Sequence, residues 1–311
     1  MPTVVTLGET MALARTTEIG SLRHAASLAL GIGGAESNVA VGLQRLGITT
    51  SWLGRVGDDP LGERLVRELR GEGLDVRAIV DDGAPTGLML KERPSAASTA
   101  VHYYRRGSAG SRLTTADVPD GWIEGADLLH VTGITPLLSD GAHAAIVAAV
   151  ERAHAAGVPV SFDVNYRSAL ASPEVAGPIL RGVAERATLV FGGADELALL
   201  GADAEGGLLA AGVEQVIVKR GPEGAAVVTR TGVTQSPGFV IDPLDTVGAG
   251  DAFVAGYLSA FLEGRDTADA LLRANACGAM ACLVPGDWEA APTRRELEQF
   301  LRGGGGDPVR R

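Results

Sequence analysis

The sequence predicts an α/β fold in which a mostly parallel sheet carries helices on both faces and a small second sheet lies over one edge. Three observations lead there. Short apolar runs rich in β-branched residues alternate with amphipathic stretches along most of the chain, the pattern of a buried parallel sheet with crossover helices. Residues 11–30 and 86–104 interrupt that alternation with strand-like pieces and no good helix beside them. Hydrophobic residues make up 46% of the 311, ample for a packed core.

Residues 4–7 form the first apolar run, and 51–55, 128–131, 158–162, 188–191 and 215–219 follow as further strands. Leu61, Leu65 and Leu69 recur every four residues, as one buried helical face requires. Residues 141–156 read as an alanine-rich helix ended by Gly157 and Pro159, and residues 251–263 as another. The two interrupting inserts, roughly 11–32 and 86–106, are expected to build the small sheet. No repeat or linker divides the chain, so residues 1–311 are expected to form a single domain. The glycine-rich tail, residues 302–311, has no periodicity and is expected to be disordered.

A net charge of −11 leaves no broad basic footprint for nucleic acid or anionic lipid. The first residues carry no basic leader, and apolar stretches such as 144–150 are cut by charges long before the ~20 residues of a membrane helix. A soluble, cytoplasmic protein handling small molecules is the expectation. Cys277 and Cys282, the only cysteines, lie in an apolar stretch and read as two buried thiols, which fits a reducing cytosol. Lys91 and Lys219 are the only lysines; their scarcity reads as genome composition and says little about mechanism.

The chemistry concentrates at residues 245–253. Val247-Gly-Ala-Gly250 is small and flexible and precedes a helix, so unpaired backbone N–H groups and the positive end of the helix dipole converge on one spot. That is an anion site. A carboxylate there, Asp251, is repelled by the anion unless it has a task, and accepting a proton from an attacking hydroxyl is such a task. The plainer alternative is an aspartate N-cap after a glycine turn. A dinucleotide fingerprint is disfavoured because Phe253 stands where the third glycine belongs. No Gly-Lys-Ser/Thr loop, protein-kinase signature, Gly-x-Ser-x-Gly elbow or His-Glu-x-x-His motif is present.

Asp245-Thr-Val-Gly-Ala-Gly-Asp-Ala-Phe253 resembles the second signature of the ribokinase-like (PfkB) carbohydrate kinases. Gly33-Gly-Ala-Glu-Ser-Asn-Val-Ala-Val-Gly-Leu-Gln-Arg-Leu-Gly47, followed by Gly54-Arg-Val-Gly-Asp58, resembles the first. The resemblance implies a three-layer α/β/α sandwich with a β-sheet lid, using ATP and Mg2+. It makes Asp251 the catalytic base and gives the amides of Gly248, Ala249 and Gly250 to the transferring phosphoryl group. Gly34 and Asn38 would touch the sugar. Lys219, Gly221 and Gly224 would line the ATP side with Gly248 and Gly250. Glu196 resembles the acidic end of an Asn-x-x-Glu motif that helps hold magnesium, with Gly193 where the asparagine belongs. Asp245 resembles a monovalent-cation ligand, with ion dependence left open. Lid sheets in this family often pair between subunits, which implies a homo-oligomer.

Within the family, Tyr103-Tyr-Arg-Arg-Gly-Ser-Ala-Gly110, His130-Val-Thr-Gly-Ile-Thr-Pro136, Asp163-Val-Asn-Tyr-Arg167 and Gly286-Asp287 resemble the 2-keto-3-deoxygluconate kinases. That likeness implies Tyr103 and Arg105 on the substrate, Asn165 and Arg167 toward substrate and nucleotide phosphates, and Asp287 on a sugar hydroxyl. An arginine grips a carboxylate through two N–H bonds, which a neutral hexose rewards less. Met89 departs from the expected lid tyrosine, so a hydroxyl contact is lost beside the sugar; Trp288 also departs. The expected reaction is ATP-dependent phosphorylation of 2-keto-3-deoxygluconate at its 6-hydroxyl. A kinase for ribose, fructose or 5-dehydro-2-deoxygluconate, or a non-catalytic sugar- or nucleotide-binding regulator, stands as the rival.

Overall fold

The computed structural model describes residues 2–95 and 98–303. The chain runs β1 (Thr3–Leu7), β2 (Met11–Thr16), β3 (Leu28–Gly33), α1 (Ala35–Arg45), β4 (Thr49–Gly57), α2 (Pro60–Gly71), β5 (Asp75–Asp81), β6 (Leu88–Ser95), β7 (Ser98–Tyr104), β8 (Leu128–Thr132) and α3 (Asp140–Ala155). It continues β9 (Val160–Asp163), α4 (Pro173–Ala184), β10 (Leu189–Gly193), α5 (Ala194–Ala198), α6 (Ala204–Ala211), β11 (Gln215–Lys219), β12 (Ala225–Thr229), β13 (Gly232–Ser236), α7 (Ala249–Leu262), α8 (Thr267–Ala281) and α9 (Arg294–Leu301).

The large sheet has the order β13-β12-β11-β10-β9-β8-β1-β4-β5 and is parallel from β11 to β5, with β12 and β13 antiparallel at one edge. Its central strands β8 and β9 are buried along their whole length, His130, Thr132, Ser161 and Asp163 included, which is why neither shows the in-out alternation of a half-exposed strand. One face packs against α3, α4 and α6 around Phe162, Ile146 and Leu180. The other packs against α1, α7 and α8 around Phe191, Tyr257 and Leu43. The structure is thus the three-layer sandwich expected. From β1 the chain builds outward through β4 and β5, then crosses back to place β8 on the other side of β1. Ligand crevices in open α/β sheets form outside the carboxyl ends of the strands at such a reversal.

Helix α2 shows how local signals set an element. Asp59 caps it by accepting from the amides of Leu61 and Gly62, Pro60 fixes the first helical φ, and Leu65 and Leu69 are buried. The inserts form a four-stranded sheet of order β3-β2-β6-β7, with β2 and β6 parallel and the outer pairs antiparallel. Cys277 and Cys282 are buried and free. Among the described residues, no helix is long and apolar enough to cross a membrane. Of the tail expected over 302–311, residues 304–311 lie outside the described ones.

Candidate active site

Helix α7 begins at Ala249, two residues before the expected start, so Asp251 is its third residue and the N-cap is Gly248. Gly248 adopts φ 79°, the left-handed region, and offers no side chain to cap the turn above it. The first amides of the helix therefore lack intrahelical acceptors, Ala249 N making only a long 3.4 Å turn bond to Thr246 O. Asp251 sits beside them with its side chain turned inward. Its Oδ2 accepts from Asn38 Nδ2 at 2.8 Å and its Oδ1 from Asn165 Nδ2 at 3.4 Å. Burial pushes the Asp251 carboxyl up to about 7; the Asn38 hydrogen bond, Arg167 and Lys219 oppose the rise and the nearby Asp163 adds to it. A carboxyl poised near neutrality is suited to general-base work. Asn38 and Asn165 thus hold the Asp251 carboxyl, contacts not among the sugar and nucleotide contacts expected of them. Asn165 does so from φ 38°, where asparagine is among the few tolerated residues.

Both lysines of the chain are engaged by buried carboxylates around this crevice, Lys219 on the expected nucleotide side and Lys91 where no role was expected. Lys219, at the end of β11, places Nζ 2.7 Å from Asp163 Oδ1 and 3.9 Å from Glu196 Oε2. Burial alone would lower its pKa, but Asp163 and Glu196 outweigh that, so it is held charged. Lys91, on β6, bonds Asp245 and Asp287 at 2.7 and 3.1 Å. Asp245, expected as a possible monovalent-cation ligand, thus meets an ammonium from within the chain.

On the sugar side, Gly34 is the N-cap of α1 and lies so close to β1's exit that a Cβ would come within 2.4 Å of Glu9 O. Met89 is buried with Met11 and Leu13, and its methyl group and Asp287 Oδ2 each lie 2.5 Å from where Gly33 would carry a Cβ, so only glycine fits between them. Asp287 is buried, which raises its pKa while Lys91 opposes the rise. Trp288 anchors the same loop by donating Nε1–H to Ile32 O at 3.1 Å, with Arg45 stacked 5.1 Å from its ring. Arg105 is buried rather than free in the crevice. Its Nε donates to Glu9 Oε2 at 2.7 Å, and Ser108 Oγ donates to the other oxygen of Glu9. Tyr103 is 39% exposed, its ring 5.7 Å from the Arg105 guanidinium. Tyr103, Arg105 and the exposed Arg167 line an open cleft of about 700 Å³ between β7 and the loop after β9.

A second cleft of about 570 Å³ opens beside the start of α7, lined by Lys219, Gly221, Gly224, Thr246, Ala249 and Gly250 together with apolar side chains such as Phe239 and Phe253. The expected ATP-side glycines thus converge with the anion loop. Glu196, by contrast, is committed locally. Its Oε2 accepts from the amide of the N-cap residue Gly193 at 2.7 Å, the glutamate half of a capping interaction, and its Oε1 from Tyr166 N at 3.1 Å. Among the described residues no cluster of three metal-ligating side chains exists.

Sequence reasoning missed three buried acids. Glu9 pairs with Arg105. Asp163 pairs with Lys219. Glu36, inside the first signature, accepts from Thr132 and Thr135 at 2.8 and 2.6 Å, pinning α1 to the end of β8. Glu36 and Asp163 lay in plain view inside segments already singled out; Glu9, just past the first strand's carboxyl end, had only that position to mark it.

The sequence matches the profile of the pfkB family carbohydrate kinases over residues 1–294. It is 40% identical over 307 residues to the 2-dehydro-3-deoxygluconokinase of Bacillus subtilis, covering 96% of this chain and 94% of that one. It is 35% identical to the 2-dehydro-3-deoxygalactonokinase of Haloferax volcanii, with 97% of each chain covered. The solved structure of a putative ribokinase II from E. coli in complex with ATP and Mg2+ superposes with a TM-score of 0.90 at 26% identity, covering 97% of this chain and 99% of that one. The family match over residues 1–294 and the 40% identity along nearly the full chain show that the protein belongs to the pfkB family of carbohydrate kinases.

Proposed function

We propose that the chain works in the cytosol, transferring the γ-phosphoryl group of ATP to the 6-hydroxyl of 2-keto-3-deoxygluconate. The observation that carries this reading is the Asp251 carboxyl, buried, raised to about 7 and set beside the uncapped amides of α7. The likeness to the Bacillus subtilis enzyme supports the choice of sugar.

Asp251 accepts the hydroxyl proton as that oxygen bonds to the γ-phosphorus and the bond to the bridging β-γ oxygen breaks. The amides at the start of α7 and the Lys219 ammonium offset charge on the transferring group. Magnesium bound to ATP would supply further charge neutralisation. With Glu196 committed to its cap, the ion would be held chiefly by phosphate oxygens and water, the mode usual for this cation. Glu9 takes the Nε and Nη2 side of Arg105; we assign its Nη1 side and Arg167 to the sugar carboxylate. The small sheet serves as the lid that excludes water from the transfer.

Sugar-dependent ADP formation tests this. 2-Keto-3-deoxygluconate should exceed fructose and ribose in kcat/KM by roughly 10² or more, because a neutral sugar leaves buried guanidinium donors unpaired. Its C4 epimer belongs in the same panel, since a 2-dehydro-3-deoxygalactonokinase is 35% identical to this chain. A neutral sugar turned over faster than either acid would overturn the assignment, and no ADP with any sugar would favour a binding regulator.

The outer face of the small sheet completes the proposal. Leu28, Leu30 and Tyr104 are 40%, 51% and 63% exposed there, an apolar patch that a second copy would cover. A dimer should sediment at micromolar concentration and dissociate in Leu30→Asp; a wild-type monomer sinks the idea.

A further inference from the structure

Lys91 is buried against two carboxylates and a backbone carbonyl. It is carried by β6 of the small sheet and is 3% exposed. Its Nζ lies 2.7 Å from Asp245 Oδ2, 3.1 Å from Asp287 Oδ1 and 3.2 Å from the Gly286 carbonyl. An ammonium has three N–H donors and no acceptor, and here three oxygens from two different segments meet it. The same carboxylate joins those segments. Asp245 accepts from Val247 N through Oδ1 at 3.2 Å and from Gly286 N through Oδ2 at 3.4 Å. Three residues on, Gly248 packs so tightly on Asp287 that a Cβ would come within 1.7 Å of its carbonyl oxygen. The turn that opens α7 and the loop that carries Asp287 are therefore one unit, with a single buried positive charge at its centre.

A free cation drawn to Asp245 Oδ2 would have to displace the Lys91 ammonium already seated 2.7 Å from it. We infer that Lys91 is a tethered monovalent cation: a positioning residue, supplied by the small sheet, that holds the anion loop and the Asp287 loop in register and makes the protein independent of added potassium. Because its stem rises from the small sheet, seating that sheet delivers the charge, and shape at the phosphate end is coupled to closure over the sugar. Without it, two buried carboxylates would face each other beneath the phosphate site, an arrangement that costs far more than an unbonded neutral pair.

The inference rests on the kinase reading, and the experiment separates the two. Wild-type protein is assayed with 2-keto-3-deoxygluconate and ATP in buffers whose only monovalent cation is potassium, ammonium or tetramethylammonium, and its thermal unfolding is followed in the same buffers. Absence of ADP in all of them is a failure of the kinase reading, whereas unfolding still reports on the cation. Wild-type kcat and Tm should agree within about twofold and within error, respectively, across the series. Lys91→Met, which keeps the apolar stem and vacates the ammonium position, should lose on the order of 10² in kcat in tetramethylammonium, the cost of an ångström-scale misplacement. Potassium or ammonium should restore about tenfold or more of that and raise its Tm, while tetramethylammonium, too large for the space, should do neither. A plain structural ion pair would lower Tm without any cation-selective rescue. Potassium activation of the wild type, undiminished kcat in the variant, or a folded variant indifferent to small cations would each overturn the inference. Should Lys91→Met not fold, the wild-type series decides alone.

Discussion

Asp251→Asn is expected to lower kcat by roughly 10²–10⁴, the usual contribution of a positioned general base, while sugar binding survives. Asparagine keeps the shape of the side chain and can still accept from Asn38 Nδ2, which lies 2.8 Å from Oδ2 in the native protein. It cannot take a proton. The pH dependence carries the same signature with a definite sign. The base works only when ionised, and the Asp251 pKa is about 7, raised from 3.8 chiefly by burial. Wild-type kcat/KM should therefore fall about tenfold per pH unit below about pH 7 and flatten above it. In the variant this limb should vanish from whatever activity remains. Stability moves the other way. A carboxyl whose folded pKa lies above its unfolded value binds more protons in the native state, so the wild type loses stability as pH rises from about 4 to about 7. Removing the titration removes that loss, and at pH 8 Asp251→Asn should melt above the wild type, the stability cost of a functional group lifted. A variant with near-normal turnover, or a wild-type profile level from pH 5 to 8, would end the assignment of the base.

What the sequence disclosed of this site depended on whether the chemistry was local. Gly248, Ala249, Gly250 and Asp251 were legible because a phosphate-binding helix start needs its glycines and its carboxylate within one turn of chain. The parallel strands were legible because burial on both faces leaves short, mainly apolar runs rich in β-branched residues, and the small sheet because its pieces lacked helices between them. Partners distant in sequence left no trace. Nothing in the Tyr-Tyr-Arg-Arg segment announces that Arg105 is met by Glu9, 96 positions earlier, or that Lys91 finds Asp287 across 196. Those pairings exist only once β1, β6 and the 286–287 loop converge above the sheet. Glu196 is a different case: family likeness implies a metal role, while the contact its carboxylate makes to the Gly193 amide is one that its place in a helix's first turn makes readable locally. Trp288, without meaning as a sequence variation, gains one when its indole N–H is found on Ile32 O.

Gly248→Ala is expected to lower kcat by about 10² or more and to reduce Tm, although it adds a single methyl group. Two costs combine. Position 248 sits at φ 79°, where an L-residue costs roughly 1–2 kcal/mol against glycine. The larger cost is steric: the new Cβ would stand 1.7 Å from Asp287 O and 2.7 Å from its carbonyl carbon. These are backbone atoms, so no rotamer change relieves the overlap, and the two loops must separate by an ångström or more to reach ordinary contact. That movement pulls the α7 amides away from the segment bearing Asp287 and the acceptors of Lys91, and displacement on this scale costs about 10² in rate through lost alignment. Gly250 is the control. It lies within α7, and a Cβ there would meet only Lys219 Nζ at 3.8 Å, an ordinary contact. Gly250→Ala should thus leave Tm unchanged or raise it slightly, since alanine is the better helix former by about 1 kcal/mol. Steady-state kinetics and thermal unfolding of the two variants side by side test the account. If Gly248→Ala keeps wild-type kcat, the close fit between the anion turn and the Asp287 loop has no part in placing the phosphoryl group, and the coupling drawn through Lys91 loses its physical basis as well.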